Sequence, residues 1–361
     1  MVYLEDVSAG RDNNLNLIRM VAATAVLVSH AWAIALGKGT VEPLKAETGV
    51  ALGTLAVYLF FVISGFLIAG SFARTRTVTR FVLARVLRLM PGLIASLLIV
   101  ALLMGPLVTE LETPAYFAHP DLWTFLVRNT LLAFPQYTLP GVFETQPYPT
   151  VEGSIWTLVH EAACYVGVLV LGLLGVLGRR DRMALALIAY ALLWVVVIVY
   201  DPPLHPKIDA FWRLSLPFAA GMAFWRWQEW IPLNIWGLAG LVGLAVALRG
   251  TELYFFALII ALGYGSFWLA YIPGGAIRAY NRIGDYSYGI YIYAFPMQGL
   301  AVWLAGPMSP WENIAIALPL TALLSIPSWH LIEKPALDAR HRLADRIEGW
   351  RGRRASEGGL S

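Results

Sequence analysis

The stretch from Leu15 to Leu36, which reads LNLIRMVAATAVLVSHAWAIAL, decides how this chain folds. It is as long and as apolar as the roughly 20 residues that an α-helix needs to cross a bilayer. Yet it contains Arg19 and His30. An ionisable side chain in hydrocarbon costs about 2.5 kcal/mol or more, so such residues normally face the protein interior and mark a functional site. The stretch therefore predicts a membrane-spanning helix with a functional face.

The spacing of the two ionisable residues places them on one side of that helix. His30 follows Arg19 by eleven positions, which corresponds to a rotation of roughly 1100°, about 20° past three full turns. The two side chains then share one stripe and lie about 16 Å apart along the axis. One helix therefore presents a cation towards one membrane face and a titratable imidazole towards the other.

The composition excludes an ordinary soluble domain. Of the 361 residues, 58% are hydrophobic and only 14% are charged, which is typical of a polytopic membrane protein in contact with membrane lipids. The net charge of +3 does not indicate a nucleic-acid partner, because basic residues of membrane proteins collect in cytoplasmic loops. Cys164 is the only cysteine, so an intramolecular disulfide and a thiolate metal site are both excluded. No metal is expected.

Apolar runs bounded by charged residues, Pro and Gly predict an all-α bundle of about ten transmembrane helices. The predicted spans are residues 15–36, 50–72, 89–108, 154–177, 183–200, 210–227, 232–248, 253–272, 284–304 and 311–332. An even number of spans places both termini on one side of the membrane. Nineteen of the 26 Lys and Arg residues then fall on that side and five on the other, so the positive-inside rule predicts cytoplasmic termini.

The predicted domain organisation is simple. Residues 1–335 are expected to form a single transmembrane domain, and residues 336–361 a basic cytoplasmic tail, which we expect to be a helix on the membrane surface. The longest connection, about residues 109–153, contains the run DLWTFLVRNTLLAF, which predicts an interfacial or re-entrant helix. Such a long outer segment suits a lid or an acceptor-binding surface. No internal repeat is visible, which argues against the commonest transporter architecture.

A basic run, RTRTVTRFVLARVLR, follows the second span and contains five arginines between residues 74 and 88. Arg85 and Arg88 are three residues apart on one helical face, so two guanidinium groups could grip one phosphate. The alternative is that the run only sets topology and contacts anionic lipid headgroups. In the preceding span, Ser64 and Gly65 permit close approach of a neighbouring helix or a ligand.

The fourth span opens with EGSIWTLVHEAACYV and contains Glu161. Counted at 1.5 Å per residue, Glu161 lies roughly 12 Å below the outer face and His30 about 8 Å below it. A carboxylate beside an imidazole would orient it and make it a general base for a hydroxyl group. His160 is a competing partner for this carboxylate, and a purely structural polar network is the other alternative. In the sixth span, Arg213 is expected to bind an anion or to pair with Asp209.

Taken together, these motifs resemble acyltransferase family 3, whose membrane proteins O-acylate sugars and other acceptors at bacterial surfaces and in antibiotic biosynthesis. The resemblance rests on the order and spacing of several short motifs over about 320 residues. They are Arg19 and His30 of the first span, FFVISGFLI with Ser64 and Gly65, Arg85-Val-Leu-Arg88, SIWTLVHE with Ser154, Trp156 and Glu161, GDYSYGIYIYAFP with Ser287 and Tyr288, and HLIEKP with Glu333 and Pro335.

The resemblance implies an acyl donor, usually acetyl-CoA, that enters from the cytoplasm, and a hydroxyl acceptor met on the outer side of the bacterial inner membrane. That acceptor would be a glycan, a lipid-linked sugar or another hydroxyl compound. The residues implied for the donor site are Arg19, Ser64, Gly65, Arg85 and Arg88. The residues implied for proton transfer are His30 as the base and Glu161 as its support. The residues implied for acceptor binding are Ser154, Trp156 and Tyr288.

Three alternatives stay open at this point. The first is a covalent acyl-His30 or acyl-Ser64 intermediate in place of direct transfer. The second is a transporter or exporter that uses Arg19, His30 and Glu161 as a proton or anion relay. The third is a lipid-binding partner without catalysis. The sequence also departs from many members of the family, because Ala294 stands where they carry a histidine. The outer hydrolase-like domain that is fused to some members is not expected in this chain. It is therefore open whether this chain completes acylation alone.

Overall fold

The computed structural model describes residues 1–10, 12–75, 77–200 and 202–358, and these ranges contain helices and no β-strand. Arg11 and Arg76, which the topology prediction places on the inner side, lie outside the described residues, as do the side chains after Trp350. The α-helices are α1 Leu4–Ser8, α2 Leu15–Leu36, α3 Lys45–Thr48, α4 Leu52–Arg74, α5 Val78–Leu98, α6 Gly105–Val108, α7 Thr113–Ala118, α8 Pro120–Thr130, α9 Ile155–Leu173, α10 Arg180–Tyr200, α11 Pro206–Arg226, α12 Ile235–Ala247, α13 Tyr254–Tyr271, α14 Ser287–Ala305, α15 Pro310–Ser328 and α16 Lys334–Gly358.

Helices occupy all ten ranges that the sequence predicts as spans, which confirms a helical membrane protein. Within the described ranges, seven helices are long and apolar enough to cross a membrane. The other three predicted spans correspond to α11, α12 and α14, and α12 has only 13 residues. The count of ten crossings and the cytoplasmic position of both termini therefore stay predictions.

The first of two compact units consists of Met1–Ser29, Val41–Ala73 and Thr157–Ser287. Its centre is a backbone-to-backbone contact between α4 and α11. A Cβ atom on Gly65 would lie 2.0 Å from the carbonyl oxygen of Phe218, and one on Gly221 would lie 2.0 Å from the carbonyl oxygen of Val62. Only glycine fits at such a crossing, so the small residues in the sequence fix how closely these two helices pack.

The second unit consists of His30–Thr40, Arg74–Trp156 and Tyr288–Ser361. In it, α16 packs along α5, the helix that carries the basic run. Arg80 of α5 pairs with Asp345 at 2.5 Å and with Glu348 at 3.0 Å. The tail is thus helical, and two of its carboxylates lie against one of the clustered arginines.

Two π-helical segments interrupt the long helices of the second unit, Ile99–Met104 and Trp329–Glu333. A π-turn frees backbone carbonyls from the regular helical ladder, and it occurs frequently near functional sites. In the first segment the hydroxyl of Tyr116 donates to the carbonyl of Ala101 at 2.7 Å. In the second segment the side chain of Glu333 is buried and accepts from Ser328 at 3.0 Å.

Replacing Gly65 with Ala tests the helix crossing of the first unit. The added methyl group meets a backbone carbonyl that cannot move by itself, so α4 and α11 must separate. Overpacking of this kind costs about 1–3 kcal/mol, and we expect the melting temperature in detergent to fall by several degrees at a fixed scan rate. The control is Gly240→Ala on α12, where an added Cβ meets no heavy atom within 4 Å. Equal melting temperatures for the two variants would contradict the crossing.

Candidate active site

Arg19, at the start of α2, is held by a carboxylate of the first unit. Its Nη1 lies 2.7 Å from Oδ2 of Asp285. The other oxygen of Asp285 accepts a hydrogen bond of 2.5 Å from Ser287, and the residue is only 8% exposed. Asp285 therefore holds the guanidinium group of Arg19, which the resemblance implies for the donor site, in one orientation. Sequence reasoning missed Asp285, although a carboxylate directly before an apolar helix was a usable signal.

His30, on the same helix, belongs to the second unit. Its ring meets the ring of Phe295 edge to face, with 5.3 Å between the centroids. Its Nδ1 atom is buried and makes no hydrogen bond within the part of the chain that the structure describes. Buried polar atoms in proteins are nearly always hydrogen-bonded, so each exception asks for an explanation. An atom of this kind is available to a ligand proton or hydroxyl.

Glu161 lies on α9 in the first unit and accepts hydrogen bonds from two side chains. Ser64 on α4 donates to it at 3.2 Å, and Tyr165 one turn further along α9 also donates to it. Tyr165 was missed, although its spacing of four residues from Glu161 is the signal for a shared helical face. Glu161 and His30 belong to different units, so their pairing stays a prediction. His160, the competing partner, packs instead near the ring of Phe211, at 6.0 Å between centroids.

Arg85 and Arg88 lie one turn apart on α5, as predicted, and each lies near an aromatic face. The guanidinium carbon of Arg85 is 5.9 Å from the centre of the Phe81 ring, and that of Arg88 is 5.7 Å from the centre of the Tyr288 ring. Thr77 begins this helix by accepting the backbone N–H of Arg80 at 3.3 Å. The side chains of both arginines are half-buried, so α5 holds two guanidinium groups one turn apart, and their role in anion binding stays a prediction.

The residues implied for acceptor binding each have different contacts. Tyr288 is buried and donates to the carbonyl of Leu89 on α5 at 2.8 Å, so it lies beside the basic helix. Ser154 is buried, and its carbonyl accepts from Tyr291 at 3.3 Å. Trp156 is 37% exposed at the start of α9. Their role in acceptor binding stays a prediction.

Two further observations bear on the candidate chemistry. Arg213 pairs with Asp209 at 3.0 Å along one exposed helix face, which confirms the predicted pairing. Among the described residues, no group of three or more His, Cys, Asp or Glu side chains is placed to hold a metal ion. The polar groups that remain are guanidinium cations, a buried imidazole and buried carboxyls, which suit anion binding and proton transfer.

The chain matches known proteins along most of its length. The acyltransferase domain family matches residues 12–330. The chain is 28% identical over 366 residues to "Nodulation protein 10" of Rhizobium leguminosarum bv. viciae, covering 94% of this chain and 97% of the relative. It is 27% identical over 341 residues to the "O-acetyl transferase" of Shigella phage Sf6, covering 90% of this chain and 96% of the relative. No solved structure matches the chain significantly. This chain therefore belongs to acyltransferase family 3, and it is an O-acyltransferase of the membrane.

Proposed function

We propose that this protein transfers an acetyl group from cytoplasmic acetyl-CoA to a hydroxyl of a sugar-containing acceptor at the outer side of the bacterial inner membrane. The observation that carries the proposal is the buried Nδ1 of His30, which makes no hydrogen bond within the described residues and lies on the helix that also carries Arg19. The phage relative described as an O-acetyl transferase supports acetyl as the acyl group.

The arginines are proposed to hold the donor. CoA carries phosphate groups, and guanidinium forks bind phosphate through paired, charge-assisted hydrogen bonds. Arg85 and Arg88 are fixed on one helix beside aromatic rings, and Arg19 is oriented by Asp285. These residues fit a polyanionic ligand. The pantetheine arm is about as long as the distance between the Arg19 and His30 positions along a helix, roughly 16 Å.

His30 is proposed to act as the general base. It accepts the proton of the acceptor hydroxyl, and the resulting oxygen nucleophile attacks the thioester carbonyl. When the carbon–sulfur bond breaks, the imidazolium returns its proton to the thiolate of CoA, so the base is regenerated. Glu161 is proposed to stabilise the imidazolium from its position next to Ser64 and Tyr165.

One observation favours a second route through a covalent intermediate. Ser64 donates to Glu161 at 3.2 Å, and a hydroxyl next to a carboxylate base is the arrangement of an activated nucleophile. In this route Glu161 takes the proton of Ser64, the Ser64 oxygen attacks the thioester carbonyl, and the carbon–sulfur bond breaks as that proton passes to the CoA thiolate. The acceptor hydroxyl then attacks the acetyl ester, and its proton returns to the Ser64 oxygen through Glu161. The two routes differ in whether Ser64 is essential.

Removing the proposed base should abolish turnover without abolishing donor binding. We expect His30→Ala to lower acetyl transfer by about 10²–10⁴-fold, measured as label transferred from radioactive acetyl-CoA to envelope glycans in membrane vesicles. Binding of CoA should change by less than twofold. The control is His119→Asn, a half-buried histidine that caps α8, because asparagine also caps helices well. Near-normal turnover in His30→Ala would refute the role of His30 as the general base.

The same variant also tests the transporter alternative. If His30→Ala still moved glycan across the vesicle membrane, and wild type consumed no acetyl-CoA, a transporter would be favoured.

Removing one guanidinium should weaken the donor complex. We expect Arg85→Ala to weaken CoA binding by about tenfold, or roughly 1.4 kcal/mol, as measured by calorimetry in detergent. Arg85→Lys should recover only part of the loss, because a lysine cannot form the paired hydrogen bonds. The control is Arg179→Ala, an exposed arginine paired with Asp181. Equal affinities for wild type and Arg85→Ala would remove Arg85 from the donor site.

The two routes are separated by Ser64→Ala. Under direct transfer we expect this variant to keep turnover within a few-fold of wild type, because it removes one hydrogen bond of Glu161 and leaves that of Tyr165. Under the covalent route turnover is lost. Mass spectrometry of wild-type protein quenched in acid after addition of acetyl-CoA supplies the second measurement, because an acetyl group on the peptide that contains Ser64 supports only the covalent route.

A further inference from the structure

Glu152 is a buried carboxyl that the proposed reaction does not use. It lies in the segment that leads into α9, and it is 1% exposed. Neither of its two carboxyl oxygens makes a hydrogen bond within the described residues. A buried acid in this situation destabilises the fold unless something else pairs with it. Its presence therefore indicates a role other than stability.

The surroundings of Glu152 favour its neutral form. Burial raises the pKa of Glu152 well above the usual range for a glutamate. The backbone N–H of Ser154 lies near the carboxyl group but outside hydrogen-bond geometry, and it lowers the pKa only in part. A neutral carboxyl has one O–H donor and one carbonyl acceptor. It can therefore form a pair of hydrogen bonds with a hydroxyl group, which is also both a donor and an acceptor.

The backbone at Gly153, next to Glu152, lies against the ring of Phe295, which His30 also contacts. A Cβ atom on Gly153 would lie 2.4 Å from the ring of Phe295, so only glycine permits this approach. The ring of Phe295 contacts His30 at 5.3 Å and Tyr148 at 5.8 Å between centroids. Gly153, the residue next to Glu152, and His30 thus lie against the same aromatic side chain. The Nδ1 atom of His30 and both carboxyl oxygens of Glu152 make no hydrogen bond among the residues that the structure describes.

An exposed cation, Lys38, lies beside the ring of Tyr148. The ammonium group of Lys38 lies 5.4 Å from the centre of the Tyr148 ring, and the backbone at Gly37 lies against Pro147. The residues Lys38, Tyr148, Glu152 and Phe295 all belong to the second unit, and so does His30. An aromatic face bordered by hydrogen-bonding groups is the kind of surface that combines apolar contact with polar orientation of a ligand.

We propose that Glu152 binds the acceptor, by pairing its carboxyl group with a hydroxyl of a sugar ring that lies against Tyr148 and Phe295. This inference rests on the proposed function. It adds an acceptor-binding residue beyond those that the family motifs imply. The sugar hydroxyl held by Glu152 is a neighbour of the reacting hydroxyl, which is left to His30. The protein is then specific for a polyhydroxylated acceptor, because an alcohol with a single hydroxyl group cannot contact both Glu152 and His30.

The kinetic test uses the full-length protein in membrane vesicles, with radioactive acetyl-CoA as donor. The acceptor probe is the base-deacylated envelope glycan of cells that lack the protein. We expect Glu152→Ala to raise the KM for the glycan at least tenfold and to change the KM for acetyl-CoA less than twofold. Glu152→Gln should stay within about threefold of wild type for both, because an amide also donates and accepts. The control Glu144→Ala removes an exposed carboxylate of the same segment and should change neither KM.

The stability test separates ligand binding from a structural role. Replacing an unpartnered buried carboxyl by an apolar group of similar size removes a polar group that nothing satisfies. Glu152→Leu should therefore melt at or above the wild-type temperature, while its KM for the glycan rises as in Glu152→Ala. A structural carboxyl would give the opposite result, a lower melting temperature.

The outcomes distinguish this inference from the function on which it rests. If wild type labels no glycan, the proposed function fails and this inference fails with it. If wild type labels the glycan and Glu152→Ala leaves its KM unchanged, or raises both KM values equally, only the role of Glu152 is overturned. A clear loss of thermal stability in Glu152→Leu, or a loss in Glu152→Gln as large as that in Glu152→Ala, also overturns it.

Discussion

The cost of placing a polar side chain in an apolar interior governs this protein. Most of its polar residues meet that cost with a specific partner. Arg19 has Asp285, which is itself held by Ser287, and Glu161 accepts from Ser64 and Tyr165. His30 and Glu152 differ, because their buried polar atoms find no partner in the described chain. Of the buried polar atoms that make no hydrogen bond within the described residues, those of His30 and Glu152 are the ones that we propose as ligand-binding groups.

Close helix packing and irregular helix geometry give these groups rigid supports. Gly65 and Gly221 bring two backbones into contact in the first unit, and that crossing holds the helix from which Ser64 reaches Glu161. In the second unit the contact between Gly153 and Phe295 holds the segment that carries Glu152. Both supports depend on the absence of a side chain, so they are sensitive to changes that add only one carbon atom.

The basic run illustrates how charge is divided once the chain is folded. In the sequence its five arginines are equivalent candidates for an anion site. In the structure Arg80 pairs with Asp345 and Glu348 of α16, whereas Arg85 and Arg88 lie beside aromatic rings further along α5. The tail is thus more than a run of positive charge, because its acidic residues neutralise one end of the basic helix. Arg85 and Arg88 are therefore the two arginines of the run that we propose for phosphate binding.

The sequence by itself determined the helical membrane class, the approximate helix ranges and the residues that match family motifs, because hydrophobic runs and residue spacing are local properties of the chain. It also predicted the pairing of Arg213 with Asp209, which lie one helical turn apart. Only the tertiary structure decided that Asp285 holds Arg19, that α16 lies on α5, and that the buried carboxyl of Glu152 makes no hydrogen bond in the part of the chain that the structure describes. These facts depend on residues far apart in the chain, or on what surrounds a loop after folding, and neither spacing nor hydrophobicity along one segment contains that information.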